Sequence, residues 1–451
     1  MKPVSCRNAL VFVVALAAFA AFAEPTALTA SVSTFNDGKG LFNRRLGMFV
    51  HWGIYSVDGY HEQQRWRQKM PRAEYAKRVS GFTAARFDAD DLVRTAESLG
   101  AEYIVFTTKH HDGFCMWNTK TTDFNVMNSP AGRDIVREVA DACRRRGVKL
   151  GFYFSNPDWN NINGYNPLSS HQTPPEPGDI PDMGAFKEFV KAQITELMTS
   201  YGEICCLFWD IPTHVDAPEM NELVRRLQPG IKIDDRGWGS AGDYSTPERG
   251  LPDGAAFEKP TEACDSVGTR SWGFRVNEDY RTVGYCTRAI DQTLSRGGNF
   301  LLNVGPKADG SLPGEVCGIV AKVGAWYRRV RESYHNATTE PWLVDGEKVF
   351  VTRRGRTVYI HCAGGLDKTG LDLAPLDILP SKATVLNDGS IVECELVVMP
   401  NRWKEGRKTL HVKGIDAGRY ADESVVVRLD FPEGTERALE LNPRGHTPRN
   451  H

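Results

Sequence analysis

Residues 133–159, RDIVREVADACRRRGVKLGFYFSNPDW, carry the pattern on which the fold turns. Ile135, Val136, Val139, Ala140 and Cys143 recur at the three-and-four spacing that places them on one helical face. Arg144–Arg146 suit a last turn, where cations offset the macrodipole. Gly147 supplies the left-handed residue that ends the helix. VKLGFYFS then predicts a strand apolar on both faces, and the chain turns polar again at its far end.

The same phrase recurs without sequence repetition. ADDLVRTAESLG leads into AEYIVFTTKHH, FKEFVKAQITELMTSYG into EICCLFWD, NELVRRLQPG into IKIDDRGWG, and YCTRAIDQTLSRGG into NFLLNVGPKADG. Helix followed by doubly apolar strand means a parallel sheet covered by helices. Five such units, with LGMFVHWGIYS ahead of them, span about 260 residues and favour a (β/α)8-like TIM barrel over an open sheet. No G-x-G-x-x-G follows any strand, so a dinucleotide site has no support. Residues 245–275 are hard to place, and the barrel is expected to be irregular there.

Beyond Trp342 the texture changes. KVFVTRR, RTVYIHC, ATVLND, IVECELVVM, KTLHVKG and SVVVRLDF alternate β-formers with turn residues, predicting an antiparallel β-sandwich. Ala9–Ala23 is an unbroken apolar run behind Lys2 and Arg7, closing with Ala-Phe-Ala, the layout of a cleavable secretory signal. It is short for a membrane span. The expected organisation is therefore a signal peptide at 1–23, a catalytic barrel at 24–338, a sandwich at 339–434 and a flexible tail at 435–451, in a secreted or periplasmic protein. A formal charge of −2 without a basic block implies neither nucleic acid nor an anionic membrane as partner. Of ten cysteines one lies in the signal, and Cys205-Cys206 reads as buried thiol rather than bridge.

Barrel chemistry sits at the carboxyl ends of the strands. Those ends are His51-Trp52, Lys109-His110-His111-Asp112, Tyr153, Trp209-Asp210, Asp235-Arg236-Gly237-Trp238 and Asn303. A metal site is one possibility, but neighbouring strand residues point to opposite faces, so His110 and His111 are not expected to share an ion; no metal and no cofactor are expected. Sugar chemistry is the other. Rings such as Trp66, Tyr153, Trp159, Phe208 and Trp209 crowd one end, and flat rings with nearby donors suit a pyranose. Glycoside cleavage needs two carboxyl groups in different environments. Asp210 closes CCLFWD, either as a carboxylate at the mouth or as a cap for the following helix.

At these residues the chain resembles glycoside hydrolase family 29, the retaining α-L-fucosidases, over roughly 35–335. MFVHWGIYSV, FTTKHHDGFCMWNT, RDIVREVADACRRRGVKLGFYFS, WGFRVNEDY and GGNFLLNVGPKADG are similar to that family's barrel segments, in order. The resemblance implies an exo-acting α-L-fucosidase acting on fucosylated glycans or glycoconjugates, with Asp210 as nucleophile. It implies His51, His110 and His111 on the sugar hydroxyls, Tyr153 and Trp209 lining the pocket, Arg236 at the sugar, and Glu62 as a further contact; Trp66 is a candidate contact as one of the crowded rings. For the acid/base it offers Glu248 in DYSTPERG or Glu262 in KPTEACDSVG. Ile211-Pro212 after FWD, and WGF in place of WGY, depart from the family pattern. The rival functions are a non-catalytic carbohydrate-binding protein on the same barrel and a metal-dependent TIM-barrel hydrolase.

Overall fold

The computed structural model describes residues 45–440 except 240, 252, 255, 341–347, 374, 375, 377 and 399–407. The expected signal peptide and the last eleven residues of the expected tail lie outside the described residues. Seven parallel strands form one sheet: β1 (Leu46–Val50), β2 (Tyr103–Lys109), β3 (Lys149–Ser155), β4 (Cys206–Asp210), β5 (Lys232–Ile233), β6 (Glu262–Ser266) and β7 (Asn299–Val304). Their order is β5-β4-β3-β2-β1-β7-β6. The gap between β5 and β6 is filled by residues 244–248, through parallel bridges Asp234–Tyr244, Ser245–Thr261 and Glu248–Cys264. This eighth, irregular strand closes the barrel in the region the sequence left unplaced.

The helices between strands follow the expected physics. In Ile135–Arg146 the Asp134 side chain accepts the Arg137 amide, and Gly147 at φ 71° ends the helix. A Cβ on Gly147 would meet nothing within 4 Å, so the backbone angle alone calls for glycine there. All five face residues named above are buried. Inside the barrel, Phe49, Tyr103, Val105, Tyr153, Phe208, Tyr244, Cys264 and Leu301 form one cluster, while Leu207 and Trp209 pack outward into the helix layer. Cys205 and Cys206 are buried free thiols.

The C-terminal region is an antiparallel sandwich of β8 (Thr338–Thr339), β9 (Val349–Arg354), β10 (Thr357–Cys362), β11 (Gly370–Leu373), β12 (Lys382–Val385), β13 (Glu393–Val397), β14 (Thr409–Lys413) and β15 (Val425–Asp430). Its sheets run β12-β15-β10-β9-β8 and β11-β14-β13. Residues 436–440, expected to be loose, form a helical turn that buries Leu439 in the sandwich core. Barrel and sandwich are joined at buried Asp291, which accepts from Tyr334 (2.7 Å), Ser424 (2.5 Å) and the His361 ring (2.6 Å). Among the described residues no helix is long and apolar enough to cross a membrane.

Candidate active site

The site is built on the strand ends. Side chains alternate along β4, so Phe208 and Asp210 face the barrel axis while Trp209 faces away. Asp210 is buried. Its Oδ2 accepts the Tyr153 hydroxyl at 2.5 Å, and its Oδ1 accepts the Ile211 amide at 3.0 Å and Arg236 Nη1 at 3.1 Å. Burial pushes this carboxyl up, but His111, the Arg236 guanidinium and the Tyr153 hydroxyl outweigh it, and it stays below the ordinary aspartate range. The cap alternative is thereby excluded: Asp210 bonds no helix N-terminus, and the helix Glu219–Leu227 is preceded by Pro218.

Arg236 follows β5 and is clamped by the closing segment. Its Nε donates to Thr246 Oγ1 at 2.6 Å and its Nη2 to the Thr246 carbonyl. Nη1 then donates both to Asp210 and to Glu248. Thr246 and Glu248 are two residues apart on one strand-like segment, which is why one arginine reaches both. Burial disfavours the guanidinium charge, yet the two carboxylates more than offset it and keep Arg236 cationic. Oxygens that share one nitrogen lie at most about 6 Å apart.

Three histidines line the same cavity. His51 Nδ1 pairs with Asn303 Oδ1 at 2.7 Å, and His111 Nδ1 with Ser155 Oγ at 2.6 Å. The His110 ring stacks on Tyr153, centroids 5.6 Å apart. Burial lowers all three, His111 to about 4. They are therefore neutral at pH 7, each able to donate and to accept, which suits hydroxyl groups. Their two ionisable neighbours serve the frame. Lys109 donates to Asp158 at 2.9 Å, and Asp112 accepts from Tyr75 at 2.8 Å, with burial raising its carboxyl to about 6.

Three expectations need correction. His110 and His111 do converge, because both lie past the last residue of β2, in a turn closed by the Gly113 amide on the His110 carbonyl. With Asp210 they bring three ligand atoms within 4.8 Å of one another, so these residues could hold an ion. Trp209 does not line the pocket; its ring is in the helix layer, with Nε1 donating to Asn221 at 2.9 Å. Glu262 is the first residue of β6, paired in register with Asn299, the first of β7, and bonded to Tyr103, the first of β2. It sits at the opposite end of the barrel from Asp210. Glu62, expected as a further contact, is buried beside this cavity: its Oε2 accepts from Ser271 Oγ and from the Trp272 and Gly273 amides, and its Oε1 lies 3.4 Å from His61 Nδ1.

The structure thus brings together Asp210, Glu248, Arg236, Tyr153, His51, His110 and His111, with Trp66 exposed on the rim. It adds residues not singled out from sequence. Asn156 Nδ2 donates to the Ile211 and Arg236 carbonyls at 2.9 and 3.0 Å, holding Ile211 at φ 63°. That left-handed backbone is unusual for a β-branched residue and rarer before proline. Trp272 brings its ring to 5.3 Å from His51. Ser155 and Asn156 were findable as the end of a predicted strand, and Trp272 opens the WGF segment that the family resemblance marks without giving this ring a role.

Residues 27–332 match the family model described as Alpha-L-fucosidase. The tissue alpha-L-fucosidase of Bos taurus is 29% identical over 359 residues, covering 70% of this chain and 72% of that one. The structure is similar to alpha-L-fucosidase isoenzyme 1 from Paenibacillus thiaminolyticus, with a TM-score of 0.74 and 29% identity over 87% of this chain and 97% of the other. It is also similar to a Bacteroides thetaiotaomicron alpha-L-fucosidase solved as a trapped covalent intermediate with 2-fluoro-fucosyl fluoride: TM-score 0.73, 26% identity, 86% and 94% coverage. A match across two thirds of the sequence, on a barrel shared almost end to end with such enzymes, means that this chain belongs to the alpha-L-fucosidase family.

Proposed function

We propose that this chain is an exo-acting α-L-fucosidase that removes terminal α-L-fucose from glycans or glycoconjugates with retention of configuration. One observation carries the mechanism: Asp210 and Glu248 share Arg236 Nη1 at the mouth of the barrel. The two oxygens bonded to that nitrogen lie at most about 6 Å apart, which suits the about 5–5.5 Å spacing of a retaining pair.

In this reading Asp210, held ionised, attacks the anomeric carbon while Glu248 protonates the departing oxygen. The glycosyl-enzyme is then hydrolysed, with Glu248 as base toward water. Glu248 is exposed, so it can exchange its proton with solvent between the two steps. His51, His110 and His111 would hold hydroxyls, and the faces of Phe208 and Trp272 offer apolar contact to the 6-methyl group. Presence of both carboxylates around a fixed arginine argues against a binding protein that has lost its chemistry. The apolar run Ala9–Ala23 supports export, which N-terminal sequencing of the mature protein would test. The mechanism is tested by following hydrolysis of an aryl α-L-fucoside by NMR. Retention requires α-L-fucose as the first product; β-L-fucose would overturn it.

A further inference from the structure

Trp66 is the only exposed tryptophan among the described residues. A lone exposed ring on a surface loop is ordinary. This one is mounted on a fixed element. The preceding residue, Arg65, is buried, donating to Glu176 at 2.7 Å and to the Trp159 carbonyl. Glu176 also accepts the Arg72 amide at 2.7 Å, and Arg72 grips Asp179. The loop after β1 is thereby clasped to the loop after β3. A buried guanidinium is costly unless fully paired, and here its pairing holds an exposed indole in place.

The indole is also continuous with the catalytic pocket. Its ring lies 5.1 Å from that of His171, and His171 lies 5.9 Å from His111. His111 Nε2 is 3.7 Å from Asp210. His171 is itself pinned, at φ 57°, by Trp159 Nε1 on its carbonyl at 2.7 Å. A line of rings therefore runs from the nucleophile outward to solvent.

Building on the fucosidase reading, we propose that Trp66 and His171 form the platform on which the first sugar of the leaving group stacks. The apolar face of a pyranose stacks on the indole, and the His171 imidazole meets its hydroxyls. The pocket around Asp210 holds the fucose; the platform selects what fucose is attached to.

The test compares a fucosylated trisaccharide with α-L-fucosyl fluoride, whose leaving group has no sugar to stack. Trp66→Ala should lower the trisaccharide-to-fluoride ratio of kcat/KM about tenfold or more, mainly through KM, and Trp66→Phe should recover most of it. An unchanged ratio, whether both rates hold or both fall together, overturns the platform. Failure of the wild-type protein to cleave either compound overturns the fucosidase reading itself, and the platform with it.

Discussion

Two buried carboxylates occupy the two ends of one barrel, and their surroundings push them in opposite directions. At the carboxyl end, Asp210 faces a guanidinium, a tyrosine hydroxyl and a ring nitrogen, and is held below the usual range. At the amino end, burial raises Glu262 to about 7, and the hydroxyls of Tyr103 and Tyr244 only partly counter it. Both are buried, Glu262 completely and Asp210 all but its cavity-facing edge. The difference is the company each keeps: Glu262 has only hydroxyls, which can share a proton with a carboxyl group, whereas Asp210 has the His111 ring and the Arg236 guanidinium to favour its negative charge. The same barrel thus keeps one acid ionised for chemistry and another closed off as part of its floor.

The contrast can be broken by mutation, with the largest effect expected at Asp210. Asp210→Gly should lower kcat on an aryl fucoside by on the order of 10⁴-fold, with azide restoring part of the rate; near-normal turnover would remove Asp210 from the mechanism. Glu248→Ala should cost about 10²–10⁴-fold on natural glycans and much less where the leaving group departs unaided. Equal losses on both substrate types would deny it the acid role.

At the other end of the barrel the effect should be on stability. The folded pKa of Glu262 is raised, so its contribution is full below pH 4.5 and is lost as pH rises toward about 7. That amounts to about 3 kcal/mol across the window. Glu262→Gln should flatten this slope in denaturation measured at several pH values, with activity within a fewfold of wild type. A loss of activity comparable to that of Glu248→Ala would reverse the assignment of the two glutamates. The smallest effect concerns the convergence of His110, His111 and Asp210: dialysis against EDTA should leave kcat/KM unchanged, and a loss restored by a divalent cation would make that cluster a metal centre.

Legibility from sequence followed the strength of periodic signals. Ile135–Cys143 and the strand GFYF were readable because helix and doubly buried strand leave distinct apolar patterns. Residues 244–248 and EACDS were not, because the barrel interior there is lined by Tyr244, Glu262 and Cys264 rather than by an apolar run. The candidate site was readable as far as strand ends could be recognised. Trp209 was misplaced because adjacency to Asp210 along the chain puts it on the opposite face. Glu262 was misplaced because a motif match gives order along a strand but not which end of it meets the cavity. Thr246, which fixes Arg236, becomes visible only when the closing segment meets the chain after β5 in space.

The most direct measurement is to inactivate the enzyme with 2-fluoro-fucosyl fluoride, digest it, and locate the attached sugar by mass spectrometry. A fucosyl ester on Asp210 alone is the predicted result. A label on Glu248, Glu262 or any other residue, or turnover without a trappable ester, would contradict the account.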